Sequence, residues 1–250
     1  MRCCPKDVLS ANFGCPESDF DKLPRKEVYI TDGGDPGTLE SQTIQSPYGK
    51  VPNTYKHELI NVEPILGEGG CIRILDNRNF PACTTVACAM VEVEPGAMRE
   101  IHWHTNNDEF QYYIQGEARM TVFMPGPKAR TFNYRAGDVG YVPVGGFHYV
   151  QNIGKKKLIF LEFFNSSHFS DISLAQWMAN TPKEVIKSVL NLPDSFIRNL
   201  KKERCPVVKY PGFEFPPASG TPQNIRYFKD FDFQKKEVAP GSSDIRGTNK

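Results

Sequence analysis

The sequence predicts an all-β core, an antiparallel barrel of short hairpins followed by a pair of helices. From about Ile72 to Phe164, short β-branched or aromatic runs are broken at intervals by Gly, Pro, Asn and Asp. Composition agrees: 39% hydrophobic and 12% aromatic residues with 20 Gly and 20 Pro describe a turn-rich globular chain and argue against disorder. After Phe164 the apolar spacing changes from alternation to a helical period.

Candidate strands cover 86–94, 99–104, 109–115, 117–124, 129–134, 139–143, 147–152 and 157–164. The breaks between them are turn formers: Pro95-Gly96, Asn106-Asn107-Asp108, Gly116, Pro125-Gly126-Pro127 and Gly137-Asp138. Lys155-Lys156-Lys157 reads as a solvated hairpin turn. Downstream, Thr181 suits an N-cap and Pro182 the first helical position, with Val185, Ile186, Val189 and Leu190 on one apolar face. A second helix is expected from about Ser195 to Lys202. The resulting organisation is an N-terminal extension over 1–55, a barrel with closing helices over 56–203, and an extended, partly disordered tail over 204–250.

Thirty basic against 29 acidic residues leave a net charge of +1, so neither nucleic acid nor an acidic membrane is an expected partner. A small ligand fits better. No apolar stretch is long enough to span a bilayer. The start, MRCCPKDVLS, lacks the apolar segment of a secretory signal, which predicts a cytoplasmic protein, or a secreted one if a signal peptide lies upstream. The seven cysteines form no CxxC pair, so neither a zinc ribbon nor a disulfide framework is signalled. Cys83 and Cys88 read as small buried hydrophobes in strand-like sequence.

An internal repeat stands out. CPKDVLSANFGCPES at 4–18 matches TPKEVIKSVLNLPDS at 181–195 without a gap, with both prolines in register. Because the second copy follows a barrel, the first reads as the closing helix of another, and the chain as the second half of a two-barrel protein.

The chemistry concentrates in two motifs, Gly96-x5-His102-x-His104-x4-Glu109-x6-Gly116 and Gly137-x5-Pro143-x-Gly145-x2-His148-x3-Asn152. Residues two apart on a strand share a face, so His102 and His104 project together while Ile101 and Trp103 point away. The turn after them allows Glu109 to re-enter facing the same interior, and His148 arrives behind a Gly-Gly turn that needs little room. Three imidazoles and a carboxylate suit a borderline-hard divalent ion and leave two octahedral positions open. A lone H-x-H on a strand is usually incidental; here both motifs occur in order, separated by enough chain for a hairpin. The spacing does not name the ion.

These motifs are similar to the paired motifs of cupins, and PGAMREIHWHTNNDEFQYYIQGEARMTVF, AGDVGYVP and LIFLEFF closely resemble oxalate decarboxylases of the bicupin family, in their second cupin, from about Cys4 to Phe213. The resemblance implies a cupin double-stranded β-helix, or jelly-roll barrel, with a C-terminal helical pair. It implies manganese held by His102, His104, Glu109 and His148, dioxygen as a co-catalyst, and decarboxylation of oxalate to formate and carbon dioxide. Arg99 matches the arginine over the substrate, and Glu162 a carboxylate that could donate the proton. Alternation alone puts Arg99 on the face opposite His102 unless the strand is bent or bulged, and an ordinary rim ion pair is its plainer reading. Glu162 lies in an apolar run where burial would raise its pKa, or it points outward. His57 and His168 have no motif partners and read as ordinary core or surface residues.

The sequence lacks the first cupin of the family, with its metal site and acidic lid. An oxalate oxidase yielding peroxide, or a non-catalytic metal-binding barrel, therefore stands as an alternative. Self-association into a homo-oligomer is expected to cover the face that a neighbouring barrel would otherwise occupy.

Overall fold

The computed structural model describes residues 3–212. The chain divides into two units, Met1–Asn53 and Thr54–Lys250. In the first, α1 (Lys6–Phe13) leads into a 3-10 turn over Glu17–Phe20. The Phe13 and Phe20 rings pack 6.1 Å apart. A single helical turn, α2 (Leu39–Gln42), is capped by the Thr38 hydroxyl, which accepts from the Ser41 amide.

The second unit is a two-sheet jelly roll. Its strands are β1 (Ile65–Gly67), β2 (Gly70–Leu75), β3 (Ala87–Val93), β4 (Ala97–Trp103), β5 (Glu109–Gln115), β6 (Glu117–Met124), β7 (Lys128–Arg135), β8 (Val139–Val142), β9 (Phe147–Asn152), β10 (Leu158–Phe164), β11 (Ile172–Ser173) and β12 (Val207–Lys209). One sheet runs β1-β2-β3-β10-β5-β8 and the other β11-β4-β9-β6-β7, with β12 also paired to β4. The strands β3 to β10 fall on the runs that turn residues separate in the sequence. Their inward residues, among them Val91, Tyr113, Met120, Val150 and Phe160, are fully buried and form a single apolar core with Ile72 of β2.

Gly116 shows why one separator has to be glycine. Its φ is +87°, and a Cβ there would come within 2.8 Å of Leu158 Cα, so both the backbone angle and the space exclude a side chain.

Among the described residues, three helices follow the barrel: α3 (Leu174–Ala179), which the sequence did not signal, α4 (Lys183–Leu190) and α5 (Asp194–Asn199). The expected cap of α4 is corrected. Thr181 turns back, its hydroxyl donating to the Trp177 carbonyl, while Pro182, extended at ψ 133°, precedes α4 with no side-chain cap. The two repeat copies take one local form: a proline (Pro5 or Pro182), an eight-residue helix, a left-handed residue (Gly14 or Asn191), a second proline and a short helical turn.

Within the expected tail, residues 207–209 form β12 against β4; residues 213–250 of that tail lie outside the described residues. The lysine turn also needs correction at its last position. Lys157 is half-buried, with Nζ 3.0 Å from Glu92 and 2.9 Å from Glu94, and these carboxylates hold its pKa above the usual lysine value despite burial. Among the described residues, no helix is long and apolar enough to cross a membrane.

Candidate metal centre

Four side chains from three strands and one turn meet inside the barrel. His102 lies on β4, His104 just beyond it, Glu109 opens β5 and His148 lies on β9. One nitrogen or oxygen from each falls within 4.8 Å of the others, and all four residues are buried. His102 and His148 are direct register partners across β4 and β9. Two hydrogen bonds align the loops around them: the Gly145 amide donates to the His104 carbonyl at 2.8 Å, and the Val144 amide donates to the side-chain Oδ1 of Asp108 at 2.8 Å. The Asn106-Asn107-Asp108 turn and the Gly145-Gly146 turn are thereby one structural unit.

Each imidazole is oriented by its outer nitrogen. Nδ1 of His102 lies 2.7 Å from the Glu100 carbonyl, Nδ1 of His104 lies 2.7 Å from the Ser170 carbonyl, and Nδ1 of His148 lies 3.0 Å from the Gly146 carbonyl. A carbonyl only accepts, so each Nδ1 must carry the hydrogen and each Nε2 presents a lone pair inward. Glu109 is held the same way: Gln111 Nε2 donates to its Oε1 at 2.7 Å, and the Tyr113 hydroxyl donates to Gln111 Oε1 at 2.7 Å.

The inward atoms are left over. All three Nε2 atoms and Glu109 Oε2 are buried and unpaired: with the hydrogens on Nδ1, His148 and His104 Nε2 meet Glu109 Oε2 at 2.8 and 3.1 Å as lone pair against lone pair. Buried polar atoms are nearly always paired, so four orphans converging on one point describe a coordination sphere for a divalent cation. Burial and the neighbouring Arg99 push His102 well below the usual imidazole range, which keeps its ring neutral and able to ligate.

Arg99 and Glu162 face this cluster, and both are fully buried. Arg99 pairs with Val150 and His102 with His148, so three residues along β4 span what two span on β9. That bulge restores Arg99 to the inner face, in spite of its odd spacing from His102. Arg99 Nε lies 3.8 Å from Glu162 Oε1. Glu162, near the middle of β10, has neither carboxylate oxygen hydrogen-bonded. Burial, with Glu109 nearby, raises its pKa to about 8, so it holds a proton at neutral pH.

Several contributors carry no sequence motif. Gln111 and Tyr113 were reachable through period two from Glu109, since alternate β5 residues share its face. Ser170 and Asp171, whose Oδ2 accepts from Arg99 Nη2 at 2.6 Å, follow the last long strand with no spacing rule to mark them. Motif residue Asn152 is structural: its side chain bonds the Val93 and Lys156 carbonyls and the Gly154 amide. His57 packs against Phe80 at 5.3 Å, and His168 is exposed. All seven cysteines are free; Cys83 sits in a turn instead of a strand, and burial raises the Cys88 thiol to about 11.

Comparison with known proteins gives a consistent picture. Residues 60–198 match the family model described as Cupin. The chain is 50% identical over 205 residues to oxalate decarboxylase OxdC of Bacillus subtilis (strain 168), covering 82% of this chain and 53% of that protein. It is 38% identical over 205 residues to a probable oxalate decarboxylase of Arthroderma benhamiae, covering 80% of this chain and 50% of that one. A solved structure of the Bacillus subtilis oxalate decarboxylase, described for its Mn(II) centers, superimposes with a TM-score of 0.79 at 49% identity, over 83% of this chain and 55% of that one. The chain spans about half the length of the curated relatives it matches. With its family model covering more than half of the chain and the ligand geometry in place, the chain belongs to the cupin family.

Proposed function

We propose that this barrel binds manganese through His102, His104, Glu109 and His148 and decarboxylates oxalate to formate and carbon dioxide, with dioxygen as co-catalyst. One observation carries the reading: the orphaned donor set lies beside a buried arginine with a free N–H and a buried, unbonded carboxyl. The 50% identity to an oxalate decarboxylase supplies the substrate. The bound metal, with dioxygen, would supply the one-electron chemistry and polarise the substrate.

The protein's own groups do the rest. Arg99 Nε–H holds a carboxylate of oxalate, a pairing that charge strengthens at a buried position. As the carbon–carbon bond breaks and carbon dioxide leaves, Glu162 gives its proton to the remaining carbon, which becomes the C–H bond of formate. Carbon and charge balance: an oxalate dianion and one proton yield carbon dioxide and a formate anion.

A homo-oligomer is part of the proposal. Phe110 and Tyr112 on β5 pair with Tyr141 and Val139 on β8, and all four are exposed on the outer sheet face. A patch of that kind favours a like surface on a second copy. Analytical ultracentrifugation, with Tyr141→Lys as the disrupting variant, tests that part.

The enzymatic part is tested with manganese-loaded protein and oxalate, reading formate and peroxide together. Formate without peroxide supports the proposal, and peroxide without formate identifies an oxidase. Neither product at full manganese loading overturns the enzymatic reading.

A further inference from the structure

Arg99 is held from behind. It has no exposed surface, so the five N–H groups of its guanidinium must be accounted for inside the protein. Nη2 donates to Asp171 Oδ2 at 2.6 Å, Nη1 to the Pro206 carbonyl at 3.4 Å, and Nε has no partner. The gripped edge is therefore the outer one, and the free N–H is on the side of Glu162.

Asp171 is itself held. Arg204 Nη2 donates to both of its oxygens, at 2.7 and 2.8 Å. Charges thus alternate plus, minus, plus from the interior outward. A lone Asp171 would neutralise Arg99 and leave little attraction for an incoming dianion. Arg204 offsets Asp171, so the line keeps one net positive charge with Arg99 at its inner end. The other carboxylate near the guanidinium, Glu100, lies 4.0 Å from Nη1 and accepts from the Ser173 hydroxyl at 2.7 Å.

The geometry points to Asp171 and Arg204 as a positioning pair: Asp171 grips the outer edge of Arg99 so that Nε–H meets the substrate carboxylate, and Arg204 preserves the pull of Arg99 on an anion. This assignment rests on the proposed oxalate chemistry, and it adds residues that neither sequence motif contains.

Arg204 has a third of its side chain exposed, so it can be changed without opening the core. Manganese-loaded wild type, Arg204→Gln, Arg204→Lys, Asp171→Asn and the Asp171→Asn/Arg204→Gln double variant are compared by calorimetric titration with oxalate, by steady-state formate production and by metal content. In Arg204→Gln, oxalate binding weakens and KM rises by roughly tenfold, while kcat stays within about threefold and metal content is unchanged. Arg204→Lys, which restores the charge, returns binding to within about threefold of wild type. The double variant keeps the wild-type net charge of the line but lacks the grip on Arg99, so it binds oxalate more weakly than wild type. Wild-type affinity in Arg204→Gln overturns the assignment, as does wild-type affinity in the double variant. A wild type that takes up no oxalate removes the substrate reading instead, and the role of the pair falls with it.

Discussion

Two sets of buried polar side chains share the barrel interior, and they are supported in opposite ways. The ligand set leans on its own strands. His102 bonds the carbonyl of Glu100, His148 that of Gly146, and Glu109 the amide of Gln111, each partner two residues away; only His104 reaches further, to Ser170. The arginine set leans on chain that returns after the barrel is complete. Arg99 is gripped by Asp171 and Pro206, which are 72 and 107 residues along. Local support fixes coordination geometry as soon as the sheets pair, whereas distant support ties the proposed anion contact of Arg99 to β11, β12 and the segment beyond α5. A metal site of this kind can persist when the substrate site is disturbed; the reverse is harder.

The largest effect that would break this contrast is on the metal. His148→Ala deletes one of four donors and is expected to lower metal affinity by more than about a hundredfold, since losing even an outer support of a ligand costs roughly tenfold to a hundredfold. Metal analysis after dialysis measures it, and full retention would mean the four atoms are not the coordination sphere. Glu162→Gln should do the opposite, keeping the metal while abolishing formate.

The same variant has a signature in pH. Burial, with Glu109 nearby, pushes Glu162 up to about 8 from the ordinary 4.5, so its folded-state pKa lies above its unfolded one. Its contribution to stability is complete below the unfolded value and is lost as pH rises from there through about 8, by a few kcal/mol at most. Glu162→Gln cannot ionise and is spared that loss. Urea unfolding of both proteins at pH 5, 7 and 9 should therefore show the variant gaining on wild type as pH rises. Parallel curves would place Glu162 in a solvated position.

The same division explains what was legible in the sequence. His102, His104, Glu109 and His148 stand at strand spacing around turn residues, because a local support leaves a local pattern. The strands β3 to β10 were legible for the same reason. Arg99 was ambiguous: alternation put it outside, and only the bulge between Arg99 and His102, which leaves no mark in residue type, brought it in. Asp171 and Arg204 had no pattern at all, since their partnership is a property of the folded chain. Thr181 misled because a hydroxyl before a proline can also bond backward, here to Trp177.

The smaller effects sharpen the contrast from within the ligand set. Gln111→Leu removes the donor to Glu109 and orphans the buried Tyr113 hydroxyl, so metal affinity should fall by roughly tenfold to a hundredfold and stability by about 1–3 kcal/mol. Oxalate affinity of protein that has been reloaded with metal should change little, because Arg99 and its supports are untouched. Gly140 offers the gentlest probe. It faces Gln111 across the β5–β8 pair, and a Cβ added there would sit 2.7 Å from Gln111 Oε1 and 3.3 Å from its Cβ. Gly140→Ala must therefore displace a side chain held at both ends, by Tyr113 through Oε1 and by Glu109 through Nε2. The shift passes to a ligand oxygen without deleting any ligand, so metal affinity is expected to drop only a few-fold, well inside the range for loss of an outer support. A Gly140→Ala protein with wild-type metal affinity would show that Glu109 keeps its place without Gln111, and that the strand itself, not the side-chain chain along it, sets the geometry of the fourth ligand.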